Sequence, residues 1–363
     1  MDIKTEIKLS VSPLFYFHAP AKGNSATNAD TGKRYRDLSP ELFRLAFFFL
    51  ESKTVAEAVA YGIEESHIGA ALSMGLLVTE SQYKGPGLWE KNNWALAAFL
   101  QFSQSDLSYE EPVAQSKDQP ALISYRRTAI QQQMQSEKYP EVLLRNTDYV
   151  IKLPPYDRSI AGPVSFNSVL KRRCARAYKD DAVPLQVFSN IFYAATASIR
   201  TAEDHRATGD PFAILNSIFS WLNIYIVVQH VAEIPRGVYQ YDPVKHELRS
   251  VREGVTDDEI LSCNAFQPWI RNGGFCLFQV AQWERYMWIY RHSRSYIHLM
   301  IQAGEFGQLV LQELMRYKLA GWMTPAVQEE NCRQLLELND LKQDAIYFMK
   351  AGYPRKQFGF DDV

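Results

Sequence analysis

The feature that most limits how this 363-residue chain can fold is one long stretch, Ser295 to Leu319, which reads as a single helix. It is apolar nearly all round, and a helix without a broad polar face belongs in the interior with other elements packed around it. It also carries Gly304 and Gly307 close together. Each costs the helix about 1 kcal/mol relative to alanine. Two readings of that pair stay open: something flat or a second backbone approaches there, or the helix packs tightly on a neighbour.

The segments before and after this helix are mixed. Ile224-Tyr225-Ile226-Val227-Val228 is a short β-rich run, expected as a buried strand. Gly237 to Tyr241 runs into a turn at Asp242-Pro243 and resumes at His246-Glu247-Leu248, which predicts a hairpin. Phe275 to Trp283 is strand-like, and Ala345 to Met349 is a last strand closed by Gly352-Tyr353-Pro354. Ser165 caps a helix reaching Arg172, and Pro184 opens another carrying Leu185, Val187, Phe188, Ile191 and Phe192. The fold class expected for this half is α+β. A 47% hydrophobic and 13% aromatic composition is ample for its core, and the length favours two domains.

The first third reads differently. Residues 20–36 are small and polar and are expected as a loop. Ser39-Pro40-Glu41 then opens a helix with Leu42, Leu45, Ala46 and Phe49 as its apolar stripe. A second helix runs from Thr54 to Tyr61 and stops at Gly62, and a third from Glu64 to Met74. Gly75-Leu76-Leu77-Val78-Thr79 then turns into a strand. This is the cadence of a winged helix-turn-helix. DNA binding fails a charge test, because Thr54 to Tyr83 holds no Lys or Arg while Glu57, Glu64, Glu65 and Glu80 are acidic. We expect a docking or scaffold domain over residues 1–120, including the polar linker Gln104–Gln119. A helix near Ser124–Gln135 then opens a second domain over 121–363.

With 39 basic against 41 acidic residues, nothing indicates a nucleic-acid or anionic-membrane partner. Cys174, Cys263, Cys276 and Cys332 have no metal-type spacing, form no zinc site with the seven histidines and fit reduced thiols. The N-terminus lacks a signal-peptide core, and the apolar runs are too short to span a bilayer. The expectation is a soluble, cytoplasmic protein.

The densest chemical signal is Lys171-Arg172-Arg173-Cys174-Ala175-Arg176-Ala177-Tyr178. Three guanidiniums converging at a helix end suit a dianionic phosphate, since each offers a rigid fork of donors. A basic octapeptide taken alone is more often a solvated helix face than a ligand site. The aromatic and basic segment Trp283–Tyr296 has the composition of a single-strand stacking platform, but it lies between a strand and a core helix.

Taken in order, these pieces resemble the nitroreductase superfamily of flavin mononucleotide (FMN) enzymes over roughly residues 150–356. Within it they are most similar to the SagB-type thiazole/oxazole dehydrogenases. Arg172 to Tyr178 resembles the Arg-x-Ser-x-Arg/Lys-x-Phe/Tyr phosphate and ribityl anchor, and Gly237 to Leu248 resembles the subgroup's hairpin. Trp288 to Tyr296, followed by Glu305-Phe306-Gly307-Gln308, resembles its Lys-Tyr-x-x-Arg-x-Tyr run and Gly-x-x-x-Gln helix.

The resemblance implies a nitroreductase-like fold, with antiparallel or mixed sheet around a central helix, and an intertwined homodimer with flavin at the interface. Arg172, Arg173 and Arg176 would hold phosphate and ribityl chain, with Cys174 at the usual serine, Gln308 facing the cofactor and Arg355 or Lys356 adding a contact. Tyr290 would act beside the flavin, as the base, in oxidising an azoline of a peptide to an azole. Three departures stand out. Ile289 replaces the lysine before that tyrosine. Cys174 is a weaker hydrogen-bond donor than serine. Ile214 to Trp221 replaces Pro-Ser-Ala-Gly-Ala-Leu-Tyr-Pro, leaving only Asn216 and Ser217 as polar flavin contacts. Two alternatives follow: a redox-inactive docking partner of other biosynthetic enzymes, or a flavin reductase fed by a nicotinamide nucleotide.

Overall fold

Strand alternation organises the larger part of the molecule. In β8 (Leu222–Val228), Leu222, Ile224, Ile226 and Val228 belong to one apolar cluster, while Tyr225 and Val227 belong to another on the opposite face. In β11 (Phe275–Gln282), Phe275, Leu277 and Ala281 face the first cluster, and Cys276, Phe278 and Val280 the second. Side chains alternate along a strand, so a sheet covered on both faces reads as a continuous apolar run.

The computed structural model describes residues 5–18, 25–28, 31, 33–82, 97, 100–101, 119–207, 219–291, 293–338 and 342–355. The chain divides into two compact units, Met1–Gln115 and Ser116–Val363. In the second, seven strands form one sheet of order β12-β13-β11-β8-β9-β10-β7, every neighbouring pair antiparallel. These strands are β7 (Val150–Lys152), β8, β9 (Gly237–Asp242), β10 (Glu247–Glu253), β11, β12 (Ala320–Thr324) and β13 (Gln343–Gly352). One face carries α6 (Leu185–Ala195) and α10 (Ser295–Arg316). The other carries α8 (Asp257–Ser262) and α11 (Glu329–Leu336). β12 and α11 are elements that the sequence did not announce.

Two of the expectations for α10 change here. Leu299, Ala303, Phe306, Val310, Leu311 and Leu314 are buried, but Ile301 is 57% and Leu309 37% exposed, so the helix is central on one side only. The two glycines also part company. A Cβ on Gly307 would lie 3.0 Å from Met323 Sδ and 3.3 Å from Tyr347 Cε1, so this glycine seats the helix on β12 and β13. A Cβ on Gly304 would meet nothing within 4 Å.

The hairpin β9–β10 is tied down through its turn. His246, at φ +54°, is buried, and its ring is fully engaged. Ser189 Oγ donates to the Pro154 carbonyl at 2.5 Å, so His246 Nε2–H donates to Ser189 Oγ at 2.7 Å. Nδ1 is then left to accept the Tyr241 hydroxyl at 2.7 Å. Burial pushes the His246 pKa down to about 4, which keeps the ring neutral.

In the first unit, β1 (Lys8–Val11) lies between β5 (Lys53–Thr54) and β6 (Leu77–Thr79), all antiparallel, with α1 (Pro40–Phe48), α2 (Val55–Ala60) and α3 (Glu65–Met74) completing a winged-helix-like arrangement. Thr54 and Glu57 form a reciprocal capping box at the start of α2. Part of the expected loop is strand instead. β2 (Phe15–His18), β3 (Ser25–Asn28) and β4 (Lys33–Arg36) form an antiparallel sheet, because Phe15 and Ala26 bury themselves in the unit's apolar cluster. Nearly all of the expected linker lies outside the described residues. No helix among the described residues is long and apolar enough to cross a membrane.

Candidate functional site

The arginine run is placed by a short helix and by the last strand. Ser165 caps α5 (Phe166–Lys171), its Oγ accepting from the Ser168 amide at 3.1 Å. The helix ends because Arg172 turns to φ −58°, ψ 137°. Beyond it, Lys179 N–H donates to the Tyr353 carbonyl (2.8 Å) and Arg355 N–H to the Ala177 carbonyl (3.0 Å). Ala175 and Tyr178 are buried, anchoring the run while its charges stay outside.

These charges line a cleft of about 580 Å³. One wall is Ser168, Lys171 to Ala175 and Pro354. The other is Leu311 and Met315 of α10, with the turn Lys318-Leu319-Ala320-Gly321. No described carboxylate lines it, and Lys171, Arg172 and Lys318 make no ion pair among the described residues. Lys171 and Lys318 stand at helix C-termini, where the dipole favours cations. Arg172 is the C-cap residue of α5, and Arg173 donates to the Leu170 and Arg172 carbonyls at the same helix end, at 3.3 and 3.0 Å. Two guanidiniums and two ammoniums with no competing carboxylate are a donor set that fits a dianionic phosphate.

The convergence expected of all three arginines is corrected. Arg176 lies away from the cleft, its guanidinium 5.7 Å from the Trp269 ring centre, where the backbone of Ala177 to Lys179 pairs with Tyr353 to Arg355. Cys174 is on the cleft wall, exposed, 3.7 Å from an Arg172 donor nitrogen. Gln308 is half-buried on α10, one turn before Leu311. Arg355 is exposed beside Pro354. Asn216, Ser217 and Lys356 lie outside the described residues. Lys318 escaped the sequence reading, although a lysine just past the end of a long helix, here at φ +58°, was the available signal.

Tyr290 sits near the other end of α10. It caps α9 (Trp283–Ile289), donating its amide hydrogen to the Tyr286 carbonyl at 3.0 Å. Its ring lies 4.7 Å from that of Tyr286 and 5.5 Å from that of His298, nearly perpendicular to the latter. Burial, and secondarily the nearness of Tyr290, pushes the Tyr286 hydroxyl well above its ordinary range, so it stays protonated. Ile289 packs instead with Ile130, Tyr139 and Trp288 in a separate apolar cluster. His298 and Leu311 are thirteen residues apart on one helix, about 20 Å at 1.5 Å per residue. Gly304, with its open side, lies between them. The basic cleft and the aromatic cluster thus stand near opposite ends of one helix.

Comparison with known proteins gives this geometry a context. The chain is 25% identical over 300 residues to the trifolitoxin operon protein TfxC of Rhizobium leguminosarum bv. trifolii, covering 78% of this chain and 80% of that protein. A chain of the E. coli microcin synthetase McbBCD complex with truncated pro-MccB17 bound is 12% identical, with a TM-score of 0.42, over 76% of this chain and 96% of its own. The NADPH:FMN oxidoreductase from Vibrio harveyi complexed with NAD+ is also 12% identical, with a TM-score of 0.36, over 53% of this chain and 69% of its own. The Nitroreductase family profile matches residues 169–353, from within α5 to the end of β13. That match takes in half of the sequence, the whole cleft-forming run and the central helix, and the chain belongs to the nitroreductase family.

Proposed function

We propose that this protein is an FMN-dependent dehydrogenase of the SagB type that oxidises a peptide or peptide-like intermediate, converting an azoline to an azole in natural-product synthesis. The observation that carries the reading is the cleft in which Arg172, Arg173, Lys171 and Lys318 gather against α10 with no carboxylate among them. The likeness to a trifolitoxin operon protein supports the setting. Arg172 and Arg173 hold the phosphate, with Cys174 on the same wall, and Gln308 and Gly304 leave the cofactor a place along the helix. When bound, the flavin supplies a two-electron acceptor. Tyr290 handles the proton lost from the substrate carbon, a task that needs a group within about 3 Å of that proton. The exposed apolar strip of α10, including Ile301 and Leu309, fits the homodimer in which two such chains pair.

The first test is the visible spectrum of the purified protein, with and without added FMN. Flavin absorbance released on denaturation supports the reading. A preparation that stays colourless after incubation with FMN overturns it in favour of a redox-inactive docking partner. Anaerobic bleaching of bound flavin by a nicotinamide nucleotide but not by a thiazoline-bearing peptide would make the protein a reductase.

A further inference from the structure

The helix that leads into Tyr290 is gripped from outside by one continuous segment. α4 (Gln119–Ser136) exposes nearly all of its described side chains, and of residues 127–136 only Ile130 and Gln133 are not exposed. A helix of that kind has no apolar stripe to fold onto a core, so a few contacts decide where it lies. Both residues turn to α9. Ile130 packs with Tyr139, Trp288 and Ile289. Gln133 Nε2 donates to the Trp288 carbonyl at 2.7 Å. Just past α4, the Tyr139 ring meets that of Trp288 edge-to-face at 5.1 Å, and the Arg285 guanidinium lies 4.8 Å from the Tyr139 ring centre. At the start of α9, Gln282 donates to the Glu141 carbonyl at 2.6 Å and accepts from the Leu143 amide at 3.1 Å. Residues 130–143 thus follow α9 from its last turn back to its first.

The Gln133 contact falls where α9 releases Tyr290. The last four carbonyls of a helix have no partner within it unless the chain turns back or a side chain supplies one. In α9 the Tyr286 carbonyl accepts from the Tyr290 amide, and the Trp288 carbonyl accepts from Gln133. Tyr290 then leaves helical geometry at φ −112°, ψ 99°, with its ring beside those of Tyr286 and His298. Without Gln133, the chain's own means of satisfying the Trp288 carbonyl is the amide four residues on. Making that bond would wind Tyr290 into the helix and swing its ring off this pair. Glu137 also pairs with Arg291, just beyond Tyr290, but both side chains are more than half exposed, so that pair contributes little.

We propose that Gln133 is a positioning residue for Tyr290: its amide holds the Trp288 carbonyl so that the chain leaves α9 with the Tyr290 ring against Tyr286 and His298. Ile289, at the place where the resemblance expects a lysine, then forms part of the apolar seat of α4. The inference rests on the dehydrogenase reading for the task of Tyr290, whereas the grip on α9 is a property of the protein alone.

Two measurements test it, on Gln133→Met, which keeps the length of the side chain without the donor, and on Gln133→Lys, which restores a donor. In protein without added cofactor, hydrogen exchange read by mass spectrometry should be about two- to tenfold faster over residues 286–291 in Gln133→Met, the worth of one hydrogen bond. β11 should exchange as in the wild type, and Gln133→Lys should return the segment to the wild-type rate. In the FMN-loaded protein, Gln133→Met should keep the flavin absorbance and the KM for a synthetic thiazoline peptide. Its kcat for anaerobic bleaching should fall on the order of 10- to 100-fold, the scale of a slight misplacement of a reacting group. Gln133→Lys should recover it, and in a Tyr290→Phe background Gln133→Met should cost nothing further, because the two residues act through one group. Unchanged exchange overturns the grip. An unchanged kcat, no recovery in Gln133→Lys, or a loss that adds to that of Tyr290→Phe overturns the positioning role. A wild type that takes up no flavin, or whose flavin the peptide does not bleach, overturns the dehydrogenase reading and the positioning role with it, even where the exchange data uphold the grip.

Discussion

Arg172 and Arg176 differ by four positions and by everything that matters for an anion. Arg172 lines a carboxylate-free cleft, while Arg176 lies over the indole of Trp269. Arg172→Ala should weaken FMN binding by at least about tenfold, since a charge-assisted hydrogen bond contributes roughly 1.5–3 kcal/mol. Arg176→Ala should leave it within about twofold, and fluorimetric titration of both variants checks this; equal losses would restore the three-arginine anchor. His246 gives a second prediction at this scale. Its pKa is about 4 in the folded protein against 6.5 ordinarily, so above pH 6.5 it is neutral in both states. Between pH 6.5 and 4 only the unfolded chain takes up the proton, so stability falls as pH drops through that window, by on the order of 2–3 kcal/mol. His246→Asn, which tolerates the same positive φ, should flatten urea midpoints between pH 7 and 4.5.

At the scale of elements, the central helix is decided by what touches each of its faces. Gly304→Ala should stabilise the cofactor-free protein by about 0.5–1 kcal/mol, because the helix gains propensity and the added methyl meets nothing. The same change should weaken FMN binding if the cofactor occupies that open side. Gly321→Ala, in the strand facing the helix, should instead cost about 1–3 kcal/mol, since its Cβ would lie 2.6 Å from Leu311 Cδ2. Thermal denaturation of the two variants gives the signs directly. In α8, Thr256 and Glu259 cap reciprocally, and Thr256→Ala should cost about 1 kcal/mol. The hairpin from Gly237 to Leu248 belongs to this scale as well. Its histidine works as a lock between β9, α6 and Pro154.

For the whole molecule, α10 leaves Tyr296, Ile301 and Leu309 exposed on the side away from the sheet. Sedimentation velocity should find a dimer for the wild type and a monomer for Ile301→Asp. A monomeric wild type at micromolar concentration would remove the homodimer from the proposal. Much of the architecture could be read in advance. The β-rich run Ile224–Val228, the strand-like Phe275–Trp283 and the Asp242-Pro243 turn place β8, β11, β9 and β10, and the cap at Ser165 and the stop at Gly62 place α5 and α2. β12 escaped because Ala320 to Thr324 is short and follows the long helix without a turn signal. β3 and β4 escaped because their polar residues have the composition of a loop, and only pairing with Phe15–His18 makes them strands.

By itself, the sequence determined the elements whose signals are local: apolar periodicity, capping residues and glycine stops act over a few residues, so neighbours in the chain suffice to specify them. Which side chains share a site was decided only in three dimensions. Lys318 reaches the arginines because α10 ends where α5 ends, and Arg176 leaves them where the chain pairs with Tyr353 to Arg355. Trp221 meets Gln302, 81 positions further along the chain, through a hydrogen bond that exists only once the segment before β8 and the helix α10 have packed.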